Sequence, residues 1–490
     1  MTPDPRVPVL VGVGQIEQRV EDPQEGAEPL EMMIAAVERA AEDAGSRELL
    51  RAVNSVRVIR GIWRYGDPGR VVAERIGAPG AQTVGTPWGG NMVQTTVNQT
   101  ARAIQSGELE VAVITGAEVG RSAARARRNG AKLSFSDAPG TPDLAIAPEE
   151  PMNHPAEIAR DIVRAIQLYP IFENAIRHAR GESLDQHLIR ISELWARFNA
   201  IAVENAHAWL REPLSAEEIR TTSPSNRMIG FPYPKLMNSN NRVDQGAALI
   251  LCSAAAARRA GIGEERWVYL HAATDAQDHP TVSERADLHS SPAIRIAGAR
   301  ALELARTSIG ELAHIDVYSC FPSAVQVAAQ ELGLGEDRQL TVTGGLTFGG
   351  GPLNDYVLHA IATMVEVLRA DPGSRGLVTA NGGYLTKHAF CVYSTEPPAG
   401  PFRHENLQER VAKLPRREVR IDHRGPATIE SYTVMYGPEE PEIGHAACLL
   451  EDGRRTWANT RDADTVAAMT SEEFCGRPVR IDGDGNLTLR

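Results

Sequence analysis

Three glycine clusters and one cysteine hold most of the chemical potential of this sequence. Thr86-Pro87-Trp88-Gly89-Gly90-Asn91 is a tight turn running into a helical pattern with apolar positions at Val93, Val97, Ala101 and Ile104, and Gly107 stops it. Gly349-Gly350-Gly351-Pro352 opens a second such helix, with Leu353, Val357, Ala360, Met364 and Val367 on its apolar face. Gly382-Gly383 follows the short apolar run Leu377–Ala380. Glycine turns at helix starts leave backbone N–H groups without intrahelical partners, and such groups hold an anion or a thioester oxygen. Gly89, Gly90, Gly350, Gly351, Gly382 and Gly383 are therefore the candidate binding backbone. Of the five cysteines, Cys252, Cys320, Cys391, Cys448 and Cys475, only Cys320 has a physical case for reactivity. It lies just before Pro322, a favoured first helical residue, and a helix N-terminus stabilises a thiolate. His388, shortly after the third glycine cluster, is the candidate base, and Tyr318 a candidate hydrogen-bond donor. A buried core cysteine and a structural histidine are the competing readings, and both stay open at this point.

Each glycine turn needs a frame, and the chain provides that frame twice. The strand Val9–Val13, the helix Pro29–Ala44, the strand Val56–Ile59, the helix Gly69–Ile76 and the strand Ala81–Val84 lead to the first turn, and Val111–Ile114 follows its helix. The order recurs with the strand Trp267–Thr274, the helix Pro292–Ala305, the strand Ile315–Tyr318, the second turn and the strand Leu377–Ala380. Two copies about 260 residues apart predict an internally duplicated α/β fold. Between Gly120 and about Asn241 the pattern changes to long amphipathic helices, chiefly Pro155–Arg180 and Leu184–Leu210. Pro397–Pro415, rich in proline and charge, reads as a linker. Beyond it, Arg420–Val434, Gly444–Leu450 and Thr456–Ala458 read as short strands with hairpin signals at Asp452-Gly453 and Gly483-Asp484-Gly485-Asn486, which predict a small β-barrel. Gly12-Val13-Gly14 lacks the third glycine of a dinucleotide fingerprint, and Asp22-Pro23 interrupts before the helix.

Composition narrows the partners. With 490 residues, 42% of them hydrophobic, the chain has material for about three packed units, and a net charge of −12 argues against nucleic acid or an anionic membrane as the main partner. No apolar run approaches the roughly 20 residues of a membrane span, and Met1–Arg6 lacks the basic start of a secretory signal, so a cytoplasmic protein with reduced thiols is expected. The cysteines form no CxxC pairs, and neither a zinc site nor a disulfide framework is indicated.

Two such glycine turns on a duplicated α/β body make the chain resemble the thiolase superfamily over roughly residues 7–396. The resemblance implies two βαβαβαββ halves in a five-layered αβαβα fold. Residues 1–119 with 242–262 would form the first half, 120–241 an inserted loop domain, and 263–396 the second half. Residues 397–412 would be a linker, and 413–490 an added domain similar to an OB-like β-barrel. Asn238–Ala248 resembles the family's return into the last strand of the first half. The family's nucleophilic cysteine falls on Gly90, or on Gly89 if the register slips, the histidine of its Gly-His-Pro motif on Gly351, and the cysteine of its Cys-x-Gly loop on Ala380. Tyr318-Ser319-Cys320-Phe321 resembles the His-Asp-Cys-Phe loop of the sterol-carrier-protein type, where the cysteine acts as acid/base.

The implied ligand is coenzyme A or an acyl-CoA, with no tightly bound cofactor and no metal. Arg125, Arg127 and Arg128, beside Arg121 in the insert, would meet its phosphates, with a solvated helix face as the competing reading. The resemblance thus implies an acetyl-CoA acetyltransferase-like protein that binds CoA without standard thiolase activity. A non-standard acyltransferase or thioesterase using Cys320, and a non-enzymatic partner subunit, are the alternatives. In thiolases the strand before the first turn pairs across a dimer interface. Here Pro87-Trp88 follows it closely and proline removes a ladder donor, which favours a monomer while leaving a homodimer open.

Overall fold

The computed structural model describes residues 4–438 and 440–489. The first half is built on β1 (Pro8–Glu17), β2 (Ser55–Val58), β3 (Gln82–Gly85) and β4 (Val111–Val119). A two-residue strand, β5 (Leu144–Ala145), pairs in parallel with β3 and covers its outer edge. The insert adds β6 (Met228–Gly230) and β7 (Tyr233–Pro234), and β8 (Asp244–Ser253) returns between β1 and β4. The second half contains β9 (Val268–Gln277), β10 (His314–Asp316), β11 (Arg375–Gly382) and β12 (Lys387–Ser394). The order β3-β2-β4-β8-β1 of the first half is matched by β10-β11-β12-β9 in the second. Val317 N–H donates to Leu340 O beside β10, so the segment after Leu340 lies where a counterpart of β3 would. β1 and β9 join the halves through the antiparallel pairs Val9–Tyr269 and Leu10–Val268.

Strands such as Val111–Val119 are buried on both faces, which is why they read as unbroken apolar runs: helices cover the sheet from both sides. The helix Pro29–Asp43 packs so closely on β1 that a Cβ on Gly12 would collide with Ala40 O and one on Gly14 with Ala36 O. Those two glycines serve helix–strand contact rather than a dinucleotide. The helices Met92–Ser106 and Tyr356–Ala370 follow the two glycine turns and are largely buried, most completely in their first turns. The two halves thus repeat one α/β arrangement and meet in one mixed sheet.

Three expectations change. The first long insert helix is two pieces, Pro155–Ile158 and Ala165–Arg180, because the chain turns at Asp161, whose φ is +56°, and the second ends at Glu204 rather than Leu210. The stretch read as a linker contains β13 (Arg403–Asn406), paired in parallel with β9, since three prolines before it leave its own N–H groups free for the ladder. The C-terminal strands β14 (Gly425–Tyr436), β15 (Pro441–Leu449), β16 (Arg455–Thr460), β17 (Pro478–Ile481) and β18 (Leu487–Leu489) form a curved sheet in the order β16-β15-β14-β17-β18. Among the described residues it is not a closed barrel: its edge strands β16 and β18 form no ladder and meet at the isolated bridge Asn459–Asn486, and the β17–β18 hairpin spans just three residue pairs. β14 has irregularities at Ile429/Ser431 and Met435/Tyr436, so its first part pairs with β17 and the rest with β15. β6 pairs with β14 through Met435 and Gly230, so the insert and the C-terminal sheet share hydrogen bonds.

Candidate functional site

The two glycine turns and the loops after β10 and β11 converge, but they enclose almost no space. A Cβ added to Gly90 would lie 2.5 Å from Tyr318 Oη and 2.6 Å from Asn381 O. The side-chain position of a nucleophile at this helix start is thus occupied. Tyr318 is fixed there: its N–H donates to Thr379 Oγ1 at 3.0 Å and its ring meets Tyr356 edge-on at 5.4 Å. At Gly351 the position of a histidine side chain is taken by Ser239 Oγ, with Asn241 Oδ1 and Leu346 O both 3.2 Å away. The other glycines are covered as well, Gly350 by Gln245, Gly382 by Asn91 and Gly383 by Thr386. Gly350 and Gly383 have φ of +112° and +63°, which only glycine adopts without strain. The backbone expected to surround an open pocket is therefore lined with polar side chains. What is left beside Tyr318, Thr379, Asn381 and His388 is a cavity of about 10 Å³, room for at most one water.

Cys320 and His388 do not meet as a nucleophile and its base. Cys320 precedes the helix Pro322–Leu332 as expected, but Phe321 stacks on Tyr169 at 4.4 Å and closes the site over it. Burial outweighs the helix start and pushes the Cys320 thiol up to about 12, with Asn381 Nδ2 3.8 Å from Sγ. His388 Nε2 lies 3.2 Å from Leu385 O, 3.5 Å from Ser291 Oγ and 3.5 Å from Asp278 Oδ2, and none of these bonds reaches Cys320. Asp278 is buried with Arg285, whose charge against burial leaves the carboxyl down at about 2, and it also accepts from Ala293 N–H at the start of the helix Pro292–Ala305. The candidate base thus belongs to a cluster that anchors a helix start. All five cysteines are free and buried.

The residues that sequence reasoning missed are acids and amides. Asp355, at the start of the helix Tyr356–Ala370, is fully buried, and among the described residues both of its carboxyl oxygens lack a hydrogen-bond partner. Burial and then the Glu118 charge raise it well above the usual carboxylate range. It faces Gly116, where a Cβ would collide with Oδ1. Asn91 Oδ1 and Asn381 Oδ1 are likewise buried and unpartnered. Asn91 adjoins Gly90, which was a signal available in the sequence; nothing in the sequence linked Asp355 or Ser239 to this centre.

Glu118 is 3% exposed and accepts from Ile62 N–H at 2.7 Å; burial pushes its carboxyl up to about 7. An unfolded glutamate ionises near pH 4.3, so folding retains a proton that the unfolded chain has lost. Stability is then full below that value and falls as pH rises toward 7. Across that window the loss is about 3 kcal/mol. Glu118→Gln keeps the acceptor and should flatten this part of the stability curve, leaving the variant more stable than the parent at pH 8 in urea denaturation. An unchanged slope in the variant would refute the assignment.

The helix Gly120–Arg128 presents the insert's arginines. Arg125 pairs with Glu21 at 2.9 Å and Arg121 Nη1 donates to Val20 O at 2.6 Å, so these two are structural. Arg127 and Arg128 are exposed and, among the described residues, make no ion pair. Among the described residues no helix is long and apolar enough to cross a membrane.

No curated protein sequence matches this chain. Residues 406–486 match the family described as "Thiolase-like protein type 1 additional C-terminal domain". A monomeric SCP2-thiolase-like protein type 1 from Mycobacterium smegmatis is 32% identical, with a TM-score of 0.87 over 99% of this chain and 100% of that one. The chain belongs to that family. An SCP2-thiolase-like type 1 fold accounts for both halves, the insert and the added sheet together. More distant solved structures share the fold alone. The Ltp2-ChsH2(DUF35) aldolase is 20% identical (TM-score 0.61, covering 79% of this chain and 98% of that one). The dimeric peroxisomal thiolase of Saccharomyces cerevisiae is 13% identical (TM-score 0.58, covering 80% and 98%). The family match to the added domain begins at residue 406, within the stretch read as a linker.

Proposed function

We propose that this SCP2-thiolase-like type 1 protein binds coenzyme A or an acyl-CoA and carries out neither Claisen condensation nor thiolysis. The observation that carries this reading is the occupied position at Gly90: where a thiolase nucleophile would project, Tyr318 Oη and Asn381 O stand 2.5 and 2.6 Å from the point a Cβ would take. The Cys320 route is disfavoured by a thiol that burial holds at about 12. The binding half of the reading rests on what the thiolase resemblance implies and on the free charges of Arg127 and Arg128, whose guanidinium forks suit phosphate oxygens. The ligand's thioester end would meet a filled centre, which makes the protein a binder rather than an acyltransferase. The strand β5 on the edge of β3 closes the route by which a second copy would extend the sheet, and we infer a monomer.

Calorimetric titration with CoA and acetyl-CoA tests the binding half. Saturable binding is expected, with no free thiol released from acetyl-CoA. Arg127→Glu with Arg128→Glu should weaken it at least tenfold, or about 1.4 kcal/mol. Absence of saturable heat, or an affinity untouched by the double charge reversal, would overturn it.

A further inference from the structure

A cavity of about 340 Å³ opens at the seam between the insert and the C-terminal sheet. It shares no lining residue with the glycine-turn centre. Its volume is in the range of small-molecule sites. Three arginines stand around it: Arg164, the residue before the helix Ala165–Arg180; Arg227, just before β6; and Arg461, just after β16. Asp161 and Glu442 also line it, so three guanidinium groups against two carboxylates leave one positive charge in a chain whose net charge is −12. Among the described residues, none of these five groups is ion-paired. Arg164 Nε contacts Gln167 at 3.5 Å, and Arg227 donates to Met228 O at 3.0 Å and Gly437 O at 3.5 Å. Opposite charges in one cleft normally pair; here they are held apart.

The floor, by contrast, is fully tied. His445, 1% exposed, is bonded on both ring nitrogens, to Asn459 Oδ1 at 2.8 Å and Gln167 Nε2 at 3.3 Å. Gln167 in turn donates to Asp161 O at 2.7 Å and accepts from Val163 and Arg164 N–H at 3.0 Å. Asn459 Nδ2 donates to Arg160 O at 2.9 Å. Asp161 holds a φ of +56°, a conformation kept only where its surroundings fix it. Burial lowers the His445 imidazole below its ordinary value; the Asn459 bond and the Asp161 charge push it back up, and the charges of Arg164 and Arg461 push it down. Ile166, Ile229, Met435 and Ile443 supply apolar wall. A rigid hydrogen-bonded floor, an apolar wall and free guanidinium groups at the rim are the elements of an anion site.

We propose that this seam cavity binds a small organic oxyanion, a phosphate or carboxylate held among Arg164, Arg227 and Arg461 with its apolar body against Ile166, Ile229, Met435 and Ile443. The site exists only when the added C-terminal sheet is seated on the insert, which gives that sheet a ligand-binding role. Phenyl phosphate is the probe, with phenylacetate and inorganic phosphate as parallel arms, in calorimetric titration of the full chain. One-site binding of phenyl phosphate or phenylacetate is expected, and the tighter of the two identifies the oxyanion. Arg164→Gln with Arg461→Gln should weaken that binding at least tenfold, and Arg461→Lys by less. These side chains lie at an exposed rim, and an unchanged circular dichroism spectrum checks the fold. CoA affinity should be unaffected by the double variant, which separates this site from the binding proposed for the glycine-turn region. No saturable binding of either organic anion, equal affinity in the double variant, or inorganic phosphate binding as tightly as phenyl phosphate would overturn the proposal.

Discussion

Replacing Gly90 by cysteine, together with Gly351→His and Ala380→Cys, is expected to give no measurable thiolysis of acetoacetyl-CoA and a chain less stable than the parent. For Gly90→Cys alone the cost should be about 2–3 kcal/mol, the range for forcing volume into a packed interior. Two neighbours must yield, and they yield differently. Tyr318 Oη ends a side chain and can move, whereas Asn381 O belongs to β11, whose backbone pairs Asn381 with His388 of β12. Tyr318→Ala should therefore recover part of the stability lost in Gly90→Cys, a positive coupling in a double-mutant cycle, without restoring turnover. Urea denaturation of the four proteins gives the cycle. A Gly90→Cys variant as stable as the parent would contradict the packing described for this centre.

The largest single loss is expected at Arg455. This side chain is 0% exposed and joins the C-terminal sheet to the thiolase body. Its Nε and Nη2 donate to the Glu430 carboxylate, each at 2.7 Å, while Nη1 donates to Ser283 O at 2.8 Å and Arg285 O at 2.6 Å. Trp457 Nε1 adds a bond to Ser283 Oγ at 2.7 Å across the same seam. Arg455→Met keeps the volume but leaves Glu430 and buried carbonyls without their donor, and breaking a buried pair from one side costs about 3–5 kcal/mol. The variant should lose that much in urea denaturation, and Glu430→Gln added to Arg455→Met should restore part of it by removing the stranded charge. A loss under about 1 kcal/mol, the usual ceiling for an exposed pair, would show that the guanidinium is solvated rather than buried.

How much was legible in the sequence follows from which interactions decide each feature. The duplicated halves were legible because they rest on local patterns: the apolar face of Pro292–Ala305 and its preceding Ser291, whose side chain accepts from Ile294 N–H, mark that helix within its own stretch. The absence of the thiolase nucleophile and histidine was equally visible, as Gly90 and Gly351 need no structure to be recognised. What fills their places was not. Tyr318 and Ser239 reach those glycines from loops more than a hundred residues away in sequence, and only tertiary packing brings them there. β13 was hidden because a strand of four residues, two of them half-buried, has no periodicity to detect, and its register is set by β9. Asp355 sits in a predicted helix start, where an acid is ordinary; its lack of partners is a property of the fold alone. Cys320 was placed correctly before a helix, but proximity to a helix start says nothing about burial, and burial decided its thiol.

The measurement that most directly tests the central claim is incubation of the purified full chain with acetoacetyl-CoA and CoA. Acetyl-CoA would be quantified by mass spectrometry, and the intact protein mass recorded in the same samples. The expected result is acetyl-CoA no faster than in protein-free buffer and no acetyl adduct on the chain. Acetyl-CoA formation with an adduct at Cys320, abolished by Cys320→Ala, would contradict the reading of this centre as a filled and non-thiolytic one.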